Sequence, residues 1–168
     1  IGKLGFLNKM NSNNYIRLLK SMLNSKTFTY DDKSLIQSSF KSIANKPVSL
    51  TAFNELFISR TEISRLLKID VLINDDILNT YSCDGLIIST PMGSTAYSLS
   101  AGGPIISPSV DCILITPVSP HTLSSRPIII NDSYKIKVKS HLKDDIITVF
   151  SDGQLSEKLK SNSSINII

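Results

Sequence analysis

The residues best suited to chemistry lie in one stretch of small, hydroxyl-bearing side chains. Gly93-Ser94-Thr95 follows Pro91, and Ala96-Tyr97-Ser98-Leu99-Ser100-Ala101-Gly102-Gly103 continues it with no charge. Glycine, serine and threonine at the mouth of a helix offer backbone N–H groups and hydroxyls without bulk, which suits a phosphate or a ribose. Tyr97 is the only ring in this stretch and can pack on a flat base. A glycine-rich turn carrying one core tyrosine accounts for the same residues. The second candidate is Asn54-Glu55, which interrupts the apolar residues Phe53, Leu56, Phe57 and Ile58. A carboxylate inside such a run is costly to bury without a partner. An edge position, with Glu55 facing water, is the alternative.

The elements that position these residues read mostly as strands. Leu86 to Ile88 is long enough for a short buried strand ahead of the Pro91 and Gly93 turn signals. Val48 to Ser59, after Pro47, reads as one strand. Leu67, Ile69, Val71 and Ile73 alternate with Lys68, Asp70 and Leu72, and Asn74-Asp75-Asp76 predicts a hairpin toward Tyr81. Cys112–Thr116, Pro127–Ile130, Tyr134–Lys139 and Ile146–Phe150 are further strand candidates between turn residues that include Lys143-Asp144-Asp145. Lys135, Lys137 and Lys139 then form the wet face of a half-buried strand. Near the start, Tyr15, Leu18, Leu19, Met22 and Leu23 have helical spacing, with Asn13 or Asn14 as the cap. Propensity does not separate strand from helix over Thr27–Tyr30 and Ser34–Ile43. Many short strands with turns between them predict a mainly β fold of two packed sheets.

Composition narrows the function. The chain has 168 residues, 41% of them hydrophobic, enough for one ordinary domain or one domain plus a piece of another. No apolar run approaches a membrane span and no secretory layout opens the chain, so the expected location is the cytoplasm. Cys83 and Cys112 lack metal-ligand spacing and are expected to be free thiols. Net charge is +4 with a pI near 9.1, and the Lys and Arg residues are scattered, which argues against nucleic acid. His121 and Arg126 read as structural turn residues, because no nucleophile or carboxylate stands at an informative spacing beside them. The chain begins at Ile1, which suggests a fragment.

Asp84-Gly85-Leu86-Ile87-Ile88-Ser89-Thr90-Pro91-Met92-Gly93-Ser94-Thr95-Ala96-Tyr97, running on to Ser100-Ala101-Gly102-Gly103-Pro104, resembles the signature block of the NAD kinases. Met92 stands where that family more often has threonine. Ser119-Pro120-His121-Thr122-Leu123-Ser124-Ser125-Arg126-Pro127 is similar to a second family block, and Asn54-Glu55 to its N-E pair. Ile1-Gly2-Lys3-Leu4-Gly5-Phe6-Leu7 resembles the end of the family's α/β domain. The resemblance therefore implies a strand-helix remnant of that domain at 1–25, and over 26–168 the all-β, NAD-binding domain.

The same resemblance implies an enzyme that moves the γ-phosphoryl group of ATP, with Mg²⁺, onto the 2′-hydroxyl of the adenosine ribose of NAD. Asn54 and Glu55 would bond ribose hydroxyls, Glu55 accepting from two and Asn54 both donating and accepting. Thr95, Ala96 and Tyr97 would line the adenine end with Ser98, Leu99 and Ser100 behind them. Asp84 would act as an acceptor across a subunit interface of a homo-oligomer, a dimer or tetramer. Arg65 matches a family contact position, with a solvated strand-end arginine as its alternative. Ser82 replaces a common family arginine, and Gln154 matches a position near the ligand. The family's catalytic Gly-Gly-Asp-Gly occurs nowhere between Ile1 and Ile168, so the catalytic aspartate is expected upstream and the fragment alone is expected to be inactive. Asp152-Gly153 does not take that role. A non-catalytic dinucleotide-binding regulator and a lipid kinase of the same superfamily are the rival readings.

Overall fold

Side chains alternating between buried and exposed build most strands of this protein. Ile36, Ser38 and Phe40 turn inward from β1 (Ile36–Lys41), and Leu67, Ile69 and Val71 from β4 (Leu67–Ile73). The computed structural model describes residues 15–25, 30–61, 66–122, 124–141, 146–161 and 163–168. The chain divides into two units, Ile1–Lys33 and Ser34–Ile168. In the first, α1 (Tyr15–Asn24) has the predicted helical spacing, and none of its residues is buried. The capping asparagines, the Ile1–Leu7 segment, most of Thr27–Tyr30 and the turn at 143–145 lie outside the described residues, as does Arg65.

The second unit holds two six-stranded sheets in which every pairing is antiparallel. The remaining strands are β2 (Pro47–Ala52), β3 (Glu55–Arg60), β5 (Asp76–Cys83), β6 (Gly85–Ser89), β7 (Cys112–Val118), β8 (Ile128–Asn131), β9 (Ile136–Ser140), β10 (Ile146–Ser151), β11 (Leu155–Lys160) and β12 (Ser164–Ile167). The first sheet has the order β2-β1-β12-β9-β4-β5 and the second β11-β10-β3-β6-β7-β8. One contiguous core joins their inner faces. Ile36, Ile69, Val71, Val138 and Ile167 come from the first sheet, and Leu56, Ile58, Leu86, Ile88 and Ile115 from the second. The mainly β, two-sheet expectation is met.

Two details depart from the sequence reading. Val48–Ser59 is not one strand. It breaks at Phe53-Asn54, where the chain leaves β2 in the first sheet and enters β3 in the second. Nothing local punctuates that corner; it is held by bonds from distant residues, described below. The sequence reading also leaves out β11 and β12. Only Leu159 of β11 is buried, so this edge strand carries no alternating signal, and β12 spans only Ser164–Ile167. The hairpin at Asn74-Asp75 forms as predicted, both residues taking positive φ (51° and 73°), the geometry that favours short polar side chains there.

Candidate functional site

The site forms where the second sheet turns its outer face away from the core. Register fixes which side chains share that face: Glu55 pairs with Ser89, and Phe57 with both Ile87 and Phe150. Leu56 and Ile58, next to them along β3, point inward to the core. The outer face is covered in part by the chain that follows β6. That chain runs through a 3₁₀ turn (Met92–Thr95) into α2 (Tyr97–Ser100), a single helical turn.

This cover is seated by close contacts that only small residues allow. A Cβ on Gly93 would stand 2.0 Å from the carbonyl oxygen of Asn54, so the turn is pressed against the Asn54-Glu55 corner. Thr90 ties the same two segments. Its N–H donates to the Asn54 carbonyl (2.9 Å), its hydroxyl to the Phe53 carbonyl (2.7 Å), and it accepts from the Gly93 N–H (3.1 Å). Further along, the buried hydroxyls of Ser98 and Thr116 meet at 2.9 Å, and a Cβ on Gly103 would fall 2.3 Å from Ser98 Oγ.

These bonds correct one sequence expectation. The Gly93 and Ser94 N–H groups and the hydroxyls of Ser94 and Thr95 are not offered to a ligand at a helix mouth. Ser94 Oγ donates to the Pro91 carbonyl (2.6 Å) and accepts from Ile106 N–H (3.0 Å), while Thr95 Oγ1 donates to the Met92 carbonyl (3.2 Å). Their polar groups are taken up in folding the cover. Buried groups must be satisfied from within, and here the turn satisfies itself.

What remains open is a cleft of about 290 Å³ lined by Glu55, Phe57, Tyr97, Phe150 and Gly153. Phe57 meets Tyr97 edge to face (centroids 5.1 Å apart) and stacks near Phe150 (5.9 Å). Tyr97 is 40% exposed, so its ring is not a core ring. Gly85 makes room for this cluster, since a Cβ there would stand 2.4 Å from the Phe57 ring.

Glu55 is 8% exposed, which removes the water-facing alternative. One side of its carboxylate takes the backbone N–H of Tyr97, which favours the charged form. Oε2 is buried with no hydrogen-bond partner. Burial and the neighbouring Asp152 carboxylate outweigh the N–H and push the Glu55 carboxyl up to about 7. An orphaned acceptor at the wall of an aromatic cleft is built to receive donors.

The sequence reading sets Asp152 aside, yet this residue organises the corner. Its carboxylate accepts from the N–H groups of Phe53 (2.8 Å), Asn54 (2.7 Å) and Glu55 (3.0 Å). The Asp-Gly pair of a tight turn is the visible signal; the acceptor role is not. Phe57 and Phe150 likewise read from the sequence only as strand residues.

Of the residues singled out from sequence, the fold gathers Asn54, Glu55, Thr95, Ala96 and Tyr97 around one corner of the outer face. Ser98 lies buried beneath, while Ser100 of the same turn is exposed. Gln154 follows the cleft residue Gly153; its N–H bonds to the Ser151 carbonyl, and the residue is exposed. Ser82 and Asp84 are elsewhere. Gly85, next to Asp84, pairs with Ser59 at the opposite end of β6 from Glu55, about 14 Å away at ~3.4 Å per residue. There the Ser82 carbonyl accepts from His121 N–H (2.9 Å), consistent with His121 as a turn residue.

Among the described residues, no group of three or more His, Cys, Asp or Glu side chains could hold a metal ion. Cys83 and Cys112 are both free and buried. No helix among the described residues is long and apolar enough to cross a membrane.

Comparison with known proteins agrees with this architecture. The NAD kinase of Syntrophotalea carbinolica is 34% identical over 167 residues, and that of Geobacter sulfurreducens 36%; each alignment covers 99% of this chain and 58% of the relative. The chain thus spans less than two thirds of the length of these relatives. The crystal structure of yeast NADH kinase complexed with NADH superposes over 100% of this chain and 49% of the yeast chain, with a TM-score of 0.87 and 31% identity. An Archaeoglobus fulgidus NAD kinase in complex with ATP, at 23% identity and a TM-score of 0.73 over 92% of this chain and 57% of its own, shares the fold. The model of the ATP-NAD kinase C-terminal domain matches residues 53–168, a span that contains both sides of the cleft, and the chain belongs to that family.

Proposed function

We propose that this chain is the NAD-binding domain of an ATP-dependent NAD kinase, which transfers the γ-phosphoryl group of ATP to the 2′-hydroxyl of the adenosine ribose of NAD. One observation carries the reading: the orphaned Oε2 of Glu55 at the wall of an aromatic cleft. Two vicinal ribose hydroxyls supply the donors that this carboxylate lacks, and Asn54 beside it bonds the same ribose. The adenine lies against Tyr97, whose ring Phe57 supports from behind. Thr95 and Ala96 border it, and Gln154 edges the cleft.

Phosphoryl transfer rests mainly on positioning and charge stabilisation. This domain contributes the positioning, by holding the acceptor hydroxyl still. ATP brings Mg²⁺ with its triphosphate, and the described residues offer no cluster of their own to bind the ion. The catalytic aspartate belongs to the family's Gly-Gly-Asp-Gly loop, which this sequence does not contain.

Asp84 is exposed and lies at the far end of β6 from Glu55. It reaches the dinucleotide from a second copy of the chain in a homo-oligomer, a dimer or tetramer. Free buried thiols support a reducing, cytoplasmic setting.

The test is Glu55→Gln in the complete kinase that carries this chain. Loss of charge-assisted bonds should weaken NAD binding by about 1.5–3 kcal/mol at pH 8 with the fold intact. Unchanged affinity for NAD would remove the reading. Binding that weakens while the complete wild-type kinase forms no NADP from NAD and Mg-ATP would instead mark a regulatory dinucleotide-binding module.

A further inference from the structure

We propose that Asp152 is a positioning residue for the dinucleotide: its carboxylate gathers the backbone N–H groups of Phe53, Asn54 and Glu55 and so holds the Asn54-Glu55 corner against the cleft. This deepens the reading of Glu55 as the hydroxyl acceptor and rests on it. The corner is where the chain crosses between sheets, so Phe53 and Asn54 belong to neither β2 nor β3. A carboxylate accepts several donors at once, and one side chain satisfies three consecutive amides. Asp152 N–H in turn donates to the Glu55 carbonyl (3.0 Å), closing the clamp from both sides. The residue sits at φ +50°, a conformation that Asp, Asn and Gly adopt most readily. Backbone and side chain therefore both call for a short polar residue here.

The clamp also sets the charge of the site. Glu55 faces the Asp152 carboxylate from the β10–β11 turn, the backbone N–H of Tyr97 from α2, and Ser89 across the ladder on β6. Asp152 is the negative charge in that set, and with burial it holds Glu55 near 7. The ionised carboxylate accepts from both ribose hydroxyls, so affinity for NAD climbs as pH rises through that value. Removing the Asp152 charge moves the climb to lower pH.

The experiment titrates NAD by calorimetry between pH 5.5 and 8.5 into the complete kinase and its Asp152→Asn, Asp152→Gly and Glu55→Gln variants. Asn and Gly both accept the left-handed backbone, so weaker binding does not report strain, and melting curves confirm folding. Asp152→Asn should bind about tenfold more weakly at pH 8, with the midpoint of its pH profile shifted down. Asp152→Gly, which loses every acceptor, should bind more weakly still. A profile that coincides with wild type, or weaker binding with an unmoved midpoint, overturns the positioning role. Wild-type affinity in Glu55→Gln instead overturns the reading of Glu55 beneath it, whatever the Asp152 variants do.

Discussion

The two faces of the second sheet are made by the same strands and solve different problems. Inward, Leu56, Ile58, Leu86, Ile88 and Ile115 meet the first sheet through apolar contact alone. Outward, the same strands carry Glu55, Ser89 and Thr116, and contacts are set by hydrogen bonds and by the absence of side chains at Gly93 and Gly103. Apolar packing is non-directional and accepts small changes of shape. The outer face has no such tolerance, because a hydrogen bond or a backbone contact is either made or lost. The outer face can therefore hold Glu55 Oε2 in place without a hydrogen-bond partner, as it does Ser89 Oγ across the ladder.

One added carbon on the outer face puts this contrast to its severest test. Gly93→Ala puts a methyl 2.0 Å from the Asn54 carbonyl, and backbone rather than a flexible side chain must move. The expected cost is about 3 kcal/mol or more in chemical denaturation, with NAD binding lost even in the folded fraction. A Gly93→Ala protein that binds NAD normally would show the outer face to be as forgiving as the inner one.

Glu55→Gln probes the same contrast in the opposite direction. The free protein holds this carboxyl at about 7, above its ordinary 4.5. The folded chain thus binds the proton more tightly than the unfolded chain, and stability falls as pH rises from 4.5 to 7. Removing the charge should stabilise the free protein by about 2 kcal/mol at pH 8 and leave it nearly unchanged at about pH 4.5. On the proposed reading the same variant is expected to bind NAD more weakly. Thermal melts at the two pH values check the sign; equal melting shifts at both would mean that Glu55 is solvated.

The mildest test removes one carbon from the inner face. Ile58 is fully buried there, and Ile58→Val should cost about 1 kcal/mol while NAD affinity stays at the wild-type value. Altered affinity would couple the two faces more tightly than their contacts suggest.

Much of the fold is legible because burial on one face writes a period of two into the chain. Leu67, Ile69 and Val71 carry it, and the Asn74-Asp75 turn ends it. β11 is not legible, since an edge strand with one buried residue has no period to read. Arg65, which the sequence offers as a ligand contact, lies outside the described residues. At the site, Glu55 and Tyr97 stand out because each is the odd residue in its stretch. Phe57, Phe150 and Asp152 do not, since a phenylalanine in a strand and an aspartate in a turn are where composition puts them.

Residue order alone was enough for most of the strands, the family block and the polar interruption at Asn54-Glu55, because periodicity and residue type are local properties. Folding in three dimensions was needed to divide Val48–Ser59 between two sheets and to let Asp152 grip the division from 98 residues beyond Asn54. It was needed, too, to turn the hydroxyls of Ser94 and Thr95 toward the cover instead of a ligand. Each of these depends on which donors find which acceptors. That pairing is settled by proximity in space, which the order of residues does not record.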